Sequence, residues 1–274
     1  MNSLLINSNG VQMPQLGLGV WEIPDDQAEE TVALALRTGY RSIDTAAAYG
    51  NETGVGRGIR ASGVPRERIF VTSKLWNSDH TRVEEAFEES LGRLGLDYLD
   101  MYLIHWPVPA QDRYVQAWKV LEKLQESGRV RAIGVCNFTI EHLRRLLAEA
   151  TISPAVNQIE LHPYLQQLAL RAFHDANGIA TEAWSPLGHG QGLLLDPALG
   201  ALADKHGRSP AQIVLRWHIQ LDNIVIPKSV TPAWIEANIN VFDFTLDPED
   251  MAAIGALNSE TRLGPDPDTF NVMI

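Results

Sequence analysis

Eight short runs of aliphatic and β-branched residues recur along the 274-residue chain, at 16–18, 40–43, 69–73, 99–104, 130–135, 155–159, 179–183 and 224–226. Amphipathic stretches of helical length separate them, and much of the spacing lies near roughly 30 residues, the length of a strand–helix unit. The longest interval precedes the last run and predicts an extra helix over 210–219. Strands that alternate with helices pair in parallel through right-handed crossovers. Eight such units favour an α/β fold closed into a (β/α)8 TIM barrel over a doubly wound open sheet. The open sheet's dinucleotide signature is also missing, because Gly17-Leu18-Gly19-Val20-Trp21 lacks a third glycine and no helix start follows it.

Local signals fill in this plan. Asn7-Ser8-Asn9-Gly10 lies between Leu4-Leu5-Ile6 and Val11 and reads as the turn of an N-terminal β-hairpin, placed to cap the bottom of a barrel. Thr81 and Glu84 predict a capping box ahead of the stripe Val83, Phe87, Leu91 and Leu94, with Gly95 as the stop. Asp247-Pro248-Glu249 predicts another helix start, so extra helices are expected near the C-terminus. No linker or low-complexity segment divides the chain, and a single domain over 1–274 is expected.

Composition narrows the partners. Twenty-two Lys and Arg against 34 Asp and Glu leave a net charge of −12, and such a surface repels a phosphate backbone or an anionic membrane. The single cysteine, Cys136, excludes an intrachain disulfide and a cysteine-only zinc site, and no metal centre is expected. Without 18 consecutive apolar residues or a basic apolar leader, the expectation is a soluble, cytoplasmic protein.

Barrel enzymes carry their chemistry at the carboxyl ends of the strands. The second run ends in Asp44, with Tyr49 five residues on; the third ends in Lys74 and the fourth in His105. Singly, these read as a solvated lysine, a structural histidine and a turn tyrosine. Together, at consecutive strand ends, they converge on one pocket and make a proton donor. A free phenol has a pKa near 10, an adjacent ammonium lowers it, and a carboxylate holds the ammonium charged. His105 is placed to orient the same substrate oxygen. None of the four supplies a hydride, so a cofactor is required. Asn137 and Gln158 offer amides to grip a carboxamide, and Trp184 offers a face for a nicotinamide ring. Ser185-Pro186-Leu187-Gly188-His189-Gly190-Gln191-Gly192 is a loop able to cradle a pyrophosphate, or simply a flexible one. Lys228 and Ser229, ahead of a helix at Thr231, could meet a second phosphate.

With these residues assembled, the sequence resembles the aldo-keto reductases, and among them the bacterial 2,5-diketo-D-gluconate reductase type, since Trp184 stands where many animal members carry tyrosine. The match rests on Asp44-Thr45-Ala46 with Tyr49-Gly50-Asn51-Glu52, on Leu103-Ile104-His105-Trp106-Pro107, on Gly134-Val135-Cys136-Asn137-Phe138, on Asn157-Gln158-Ile159-Glu160-Leu161-His162-Pro163-Tyr164, and on Ile226-Pro227-Lys228-Ser229-Val230. The resemblance implies a tetrad of Asp44, Tyr49, Lys74 and His105 with Tyr49 as general acid. It implies nicotinamide contacts from Asn137, Gln158 and Trp184, and pyrophosphate contacts around Ser185, Leu187, Gly188, Gly190 and Gly192. Lys228, Ser229 and Val230 would approach the 2′-phosphate, with Trp234 and Asn238 beside the adenine. Trp21, Trp76 and Trp106 would wall the substrate pocket, unless they are ordinary core residues. Three positions depart from the family pattern: Cys136 replaces a serine, Trp234 an arginine and Ala237 a glutamate. The second loses a bidentate cation and weakens the preference for NADPH over NADH.

The expected function is therefore NADP(H)-dependent reduction of small aldehydes and ketones (dicarbonyls, keto sugars) by a monomer, with NAD(H) a second cofactor it could accept. Two rivals stand beside it: a Schiff-base aldolase acting through Lys74, and a nicotinamide-sensing regulatory subunit with little turnover.

Overall fold

The computed structural model describes residues 5–8 and 10–273, with side chains from residue 10 onward. Asn9 of the expected turn and Ile274 lie outside the described residues. Strands β1 (Leu5–Ser8) and β2 (Val11–Pro14) pair antiparallel, with Ser8 opposite Val11. Eight strands then run parallel in chain order: β3 (Leu18–Gly19), β4 (Ser42–Asp44), β5 (Phe70–Leu75), β6 (Leu99–Ile104), β7 (Val130–Cys136), β8 (Val156–Glu160), β9 (Ala180–Trp184) and β10 (Ile224–Val225). Parallel bridges Leu16–Val225 and Gly19–Lys228 join the first of these to the last and close the barrel. Close backbone packing on both sides of β3 explains its glycines: a Cβ on Gly19 would lie 2.7 Å from the Ile226 carbonyl oxygen across the seam, and one on Gly17 2.9 Å from Ser42 of β4.

The helices are α1 (Asp25–Thr38), α2 (Glu52–Ser62), α3 (Val83–Leu94), α4 (Tyr114–Glu126), α5 (Ile140–Glu149), α6 (Leu168–Ala176), α7 (Pro197–His206), α8 (Pro210–Gln220), α9 (Pro232–Asn238) and α10 (Pro248–Gly255). The stripe Val83, Phe87, Leu91 and Leu94 is buried as expected, but the Thr81 capping box does not form. Helix α3 starts one residue too late for it, and Arg82 takes the cap position, tied to Asp79 and Glu89 at 2.8 Å each. Asp247 does cap α10, accepting from the backbone N–H groups of Glu249 and Asp250. Helix α7 was not anticipated, although Asp196-Pro197 carries the same signal. None of the described helices is long and apolar enough to cross a membrane.

Inward-facing Met13, Phe70, Met101, Leu103, Ala132, Val156 and Ile224 pack together, and a larger layer containing Leu36, Phe87, Trp118 and Leu143 packs together separately. Above the inward-facing cluster the interior turns polar, which positions the site. Helices α1 and α2 meet backbone to backbone, because a Cβ on Gly54 would sit 2.0 Å from the Asp25 carbonyl oxygen. Gly54→Ala is therefore expected to lower stability by about 2 kcal/mol despite alanine's better helix propensity. Gly92→Ala in α3, where a Cβ meets nothing within 4 Å, is expected to raise it by up to about 1 kcal/mol. Urea midpoints of the two variants, measured side by side, check the pair.

Candidate active site

Strands β4 and β5 bring Asp44 and Lys74 into a buried ion pair, Nζ to Oδ1 at 2.5 Å, with the lysine fully excluded from solvent. The ammonium also donates to the Thr45 carbonyl at 3.0 Å and to the Tyr49 hydroxyl at 3.1 Å. An ammonium has three donors, and all are engaged. No lone pair is available to attack a carbonyl, so the geometry gives the aldolase reading no support.

Tyr49 reaches this position on a single 3-10 turn, residues Ala47–Tyr49. The residues after it hold the turn in place. Buried Asn51 accepts from the Thr45 hydroxyl at 2.8 Å and donates to the carbonyls of Val20 and Ile23. Buried Glu52 receives the Ser73 hydroxyl at 2.5 Å and Arg93 at 2.7 Å. His105, just past β6, sets its ring edge-on to Tyr49 with centroids 5.7 Å apart. All four expected tetrad residues thus meet at one rim.

Their ionisation follows from burial. Burial pushes the Tyr49 phenol above its ordinary range, the Lys74 charge pulls it back, and Asp44 raises it again. The expectation that the ammonium lowers the phenol holds for its own contribution, but burial outweighs it, so Tyr49 stays protonated at neutral pH. Burial would lower Lys74, yet Asp44 first and then Tyr49 and Cys136 carry it above the ordinary amine value. Burial and the Lys74 charge hold His105 well below the usual imidazole value, so it is neutral. Its Nδ1 has no hydrogen-bond partner among the described residues, which favours the tautomer protonated at Nε2.

Aromatic rings surround this group. Trp76 lies edge-on to His105 at 5.2 Å, and Trp106 packs on Phe270 at 4.2 Å. Trp21, half exposed, stacks on His189 at 5.0 Å. The C-terminal segment crosses the rim: Glu160, buried in β8, accepts from the backbone N–H of Leu263 at 2.6 Å and Gly264 at 2.9 Å, and Asn77 donates to the Val272 carbonyl at 2.7 Å.

On the far side, Asn137 sits in the left-handed region at φ 63. It donates to the His105 carbonyl at 3.0 Å and accepts the Trp184 indole N–H at 2.8 Å. Gln158 is not free as anticipated: its Nε2 donates to Asp44 at 2.8 Å and to Glu182 at 3.0 Å, and its Oε1 accepts from the Cys136 thiol. Burial holds that thiol protonated, so Cys136 replaces the expected serine as a hydrogen-bond donor. The loop at 185–192 enters the left-handed region at Ser185, Gly188, His189, Gly190 and Gly192, while Leu187 is half-buried against Leu193 and its neighbours. Lys228 is exposed; buried Ser229 is spent on the turn into α9, accepting from the Thr231 N–H at 3.2 Å. Val230 is half-buried, Trp234 is 65% exposed, and Asn238 faces inward. Glu182, His189, Glu160 and Phe270 were given no role of their own in the sequence reading. For Glu182 a signal existed, since it lies two residues before Trp184 and must share its face of the strand.

A buried phenol held beside a fixed ammonium, with a neutral imidazole at its edge, defines a candidate proton-transfer site at the rim of the barrel. The chain belongs to the aldo/keto reductase family, whose model matches residues 13–259. It is 55% identical over 273 residues to an aldo-keto reductase of Mycolicibacterium smegmatis, covering 99% of both chains. It is 52% identical over 263 residues to the methylglyoxal reductase DkgA of Escherichia coli, covering 96% of each. Among solved structures, a variant of Gox0644 in complex with NADPH aligns with a TM-score of 0.94 at 48% identity, over 98% of this chain and 99% of that one.

Proposed function

We propose that this protein reduces small aldehydes and ketones, dicarbonyls and keto sugars among them, with NADPH as electron donor and Tyr49 as general acid. The observation that carries the reading is the buried relay Asp44–Lys74–Tyr49, with links of 2.5 and 3.1 Å. The residues fit the cofactor. The 185–192 loop, left-handed at Ser185, Gly188, His189, Gly190 and Gly192, has the turned backbone that can present N–H groups to an anion, and exposed Lys228 has no ion-pair partner among the described residues. Trp184, fixed by its bond to Asn137, offers the flat face a nicotinamide needs.

Reduced nicotinamide, when bound, would supply the hydride that none of these side chains can. Tyr49 gives its proton to the carbonyl oxygen, and Lys74 stabilises the phenolate that remains. Asp44 keeps the lysine charged and aimed. His105 donates from Nε2 to the same oxygen, and Trp21, Trp76 and Trp106 exclude water around it. Residues 1–274 act as one domain in this reading, with the β1–β2 hairpin as the bottom cap; Met13, packed among Phe70 and Met101, supports that placing. A carbonyl panel including methylglyoxal, assayed with NADPH and NADH, tests the function: repeated NADPH turnover is expected, and none with any carbonyl would overturn it.

Cofactor choice has its own prediction. Lys228→Met is expected to raise the KM for NADPH by about tenfold and leave that for NADH unchanged, since one charge contact is lost. Trp234→Arg should widen the NADPH preference by restoring a bidentate cation. Steady-state kinetics with both cofactors read the two variants.

A further inference from the structure

The relay has a second carboxyl beneath it. Glu182 in β9 points into the barrel, where, among the described residues, the one hydrogen bond to its carboxyl comes from Gln158 Nε2, the same amide that donates to Asp44. One NH2 group thus bridges two buried carboxyls. Lys74 is paired with Asp44, and Glu182 has no cation within ion-pair distance among the described residues. Its register neighbours are neutral Gln158 on β8 and apolar Ile224 on β10. The titratable groups that face it are Asp44 from β4, Lys74 from β5 and the Cys136 thiol from β7. Trp184 follows two residues on, on the same face of the strand.

We infer that Glu182 is an electrostatic counterweight to the oxidised nicotinamide, ionising when the cationic ring occupies the Trp184 face and taking up a proton when the neutral reduced ring replaces it. The inference deepens the proposed function and rests on its placing of the ring at Trp184. The charge arithmetic supports it. Asp44 and Lys74 cancel, so the interior is neutral with Glu182 protonated and carries one negative charge with Glu182 ionised. Oxidised nicotinamide brings one positive charge that the reduced form lacks. Burial first, and the Asp44 charge second, push Glu182 up to about 7. It is therefore protonated in the free protein below that pH, and a nearby cation draws the proton off. Glu182 is a positioning residue here: it touches neither substrate nor reacting atoms, and acts through charge and through the orientation it imposes on Gln158.

Isothermal titration calorimetry of NADP+ and NADPH, from pH 6 to 9 in two buffers of different ionisation enthalpy, tests this on the wild type, Glu182→Gln and Trp184→Ala. In the wild type the Kd for NADP+ is expected to fall with rising pH, by on the order of tenfold relative to that for NADPH, with more protons released on binding NADP+ than on binding NADPH. Titration of the 2′-phosphate is common to both cofactors and cancels in the ratio. In Glu182→Gln the ratio should lose its pH dependence and the excess proton release with NADP+ should vanish. An unchanged ratio in that variant overturns the inference. Should Glu182→Gln fail to fold, equal proton release by the two cofactors in the wild type overturns it instead. Trp184→Ala separates the two readings. If it weakens both cofactors while Glu182→Gln changes nothing, the ring is correctly placed and only the counterweight falls. If it alters neither affinity, the placing of the ring fails and takes the counterweight with it.

Discussion

Tyr49→Phe is expected to slow carbonyl reduction by on the order of 10²–10⁴-fold while the Kd for NADPH stays where it was. The substitution deletes one oxygen and leaves the ring that packs edge-on against His105. Lys74 loses one of its three acceptors but keeps Asp44 at 2.5 Å and the Thr45 carbonyl at 3.0 Å, so it stays charged and in place. Only the proton that must reach the carbonyl oxygen is missing. His105 cannot supply it as an acid, because burial and the Lys74 charge hold its imidazole neutral. The loss should therefore fall on kcat and on kcat/KM together, the mark of an interaction made in the transition state rather than in substrate binding. Single-turnover reduction of a good carbonyl by the preloaded enzyme, beside equilibrium binding of NADPH, measures both halves. Unchanged turnover would remove Tyr49 from the donor role.

The barrel and the tetrad were legible because both obey short-range rules. Apolar runs mark the strands, a strand ends where the run ends, and Asp44, Lys74 and His105 stand at those ends. Tyr49 could be read from its motif, but Asn51 and Glu52 prove to be the scaffold that aims it, and only their partners on Val20, Ser73 and Arg93 reveal this. What escaped depends on contacts between distant segments. The Glu160 clamp joins residues 103 and 104 positions apart, and no spacing announces it. Phe270 meets Trp106 because that clamp, together with the Asn77 bond to the Val272 carbonyl, lays the C-terminal segment across the rim. Gln158 was read as a free amide; its orientation is decided by Asp44, 114 positions away, and by Glu182 on the next strand. The helix missed at 197–206 is a different case, since its Asp196-Pro197 start was as plain as the one at 247–248.

Lys74→Met is expected to cost about 3–5 kcal/mol of stability as well as nearly all activity, because it strands the Asp44 carboxylate in a site that excludes water. The second effect does not follow from the first, and a double variant separates them. In Lys74→Met with Asp44→Asn the buried charge is gone and a neutral amide takes its place, still within reach of Gln158. Most of the lost stability should return, since replacing a buried ion pair by neutral groups of similar size is often close to neutral. Activity should not return, because no cation remains to stabilise the Tyr49 phenolate that reduction leaves behind. Chemical denaturation of the single and double variants, alongside their turnover of one carbonyl substrate, gives both quantities. Recovery of activity together with stability would mean that Lys74 serves only to hold the barrel shut. A double variant that folds as stably as the wild type and stays inactive assigns the ammonium to proton transfer.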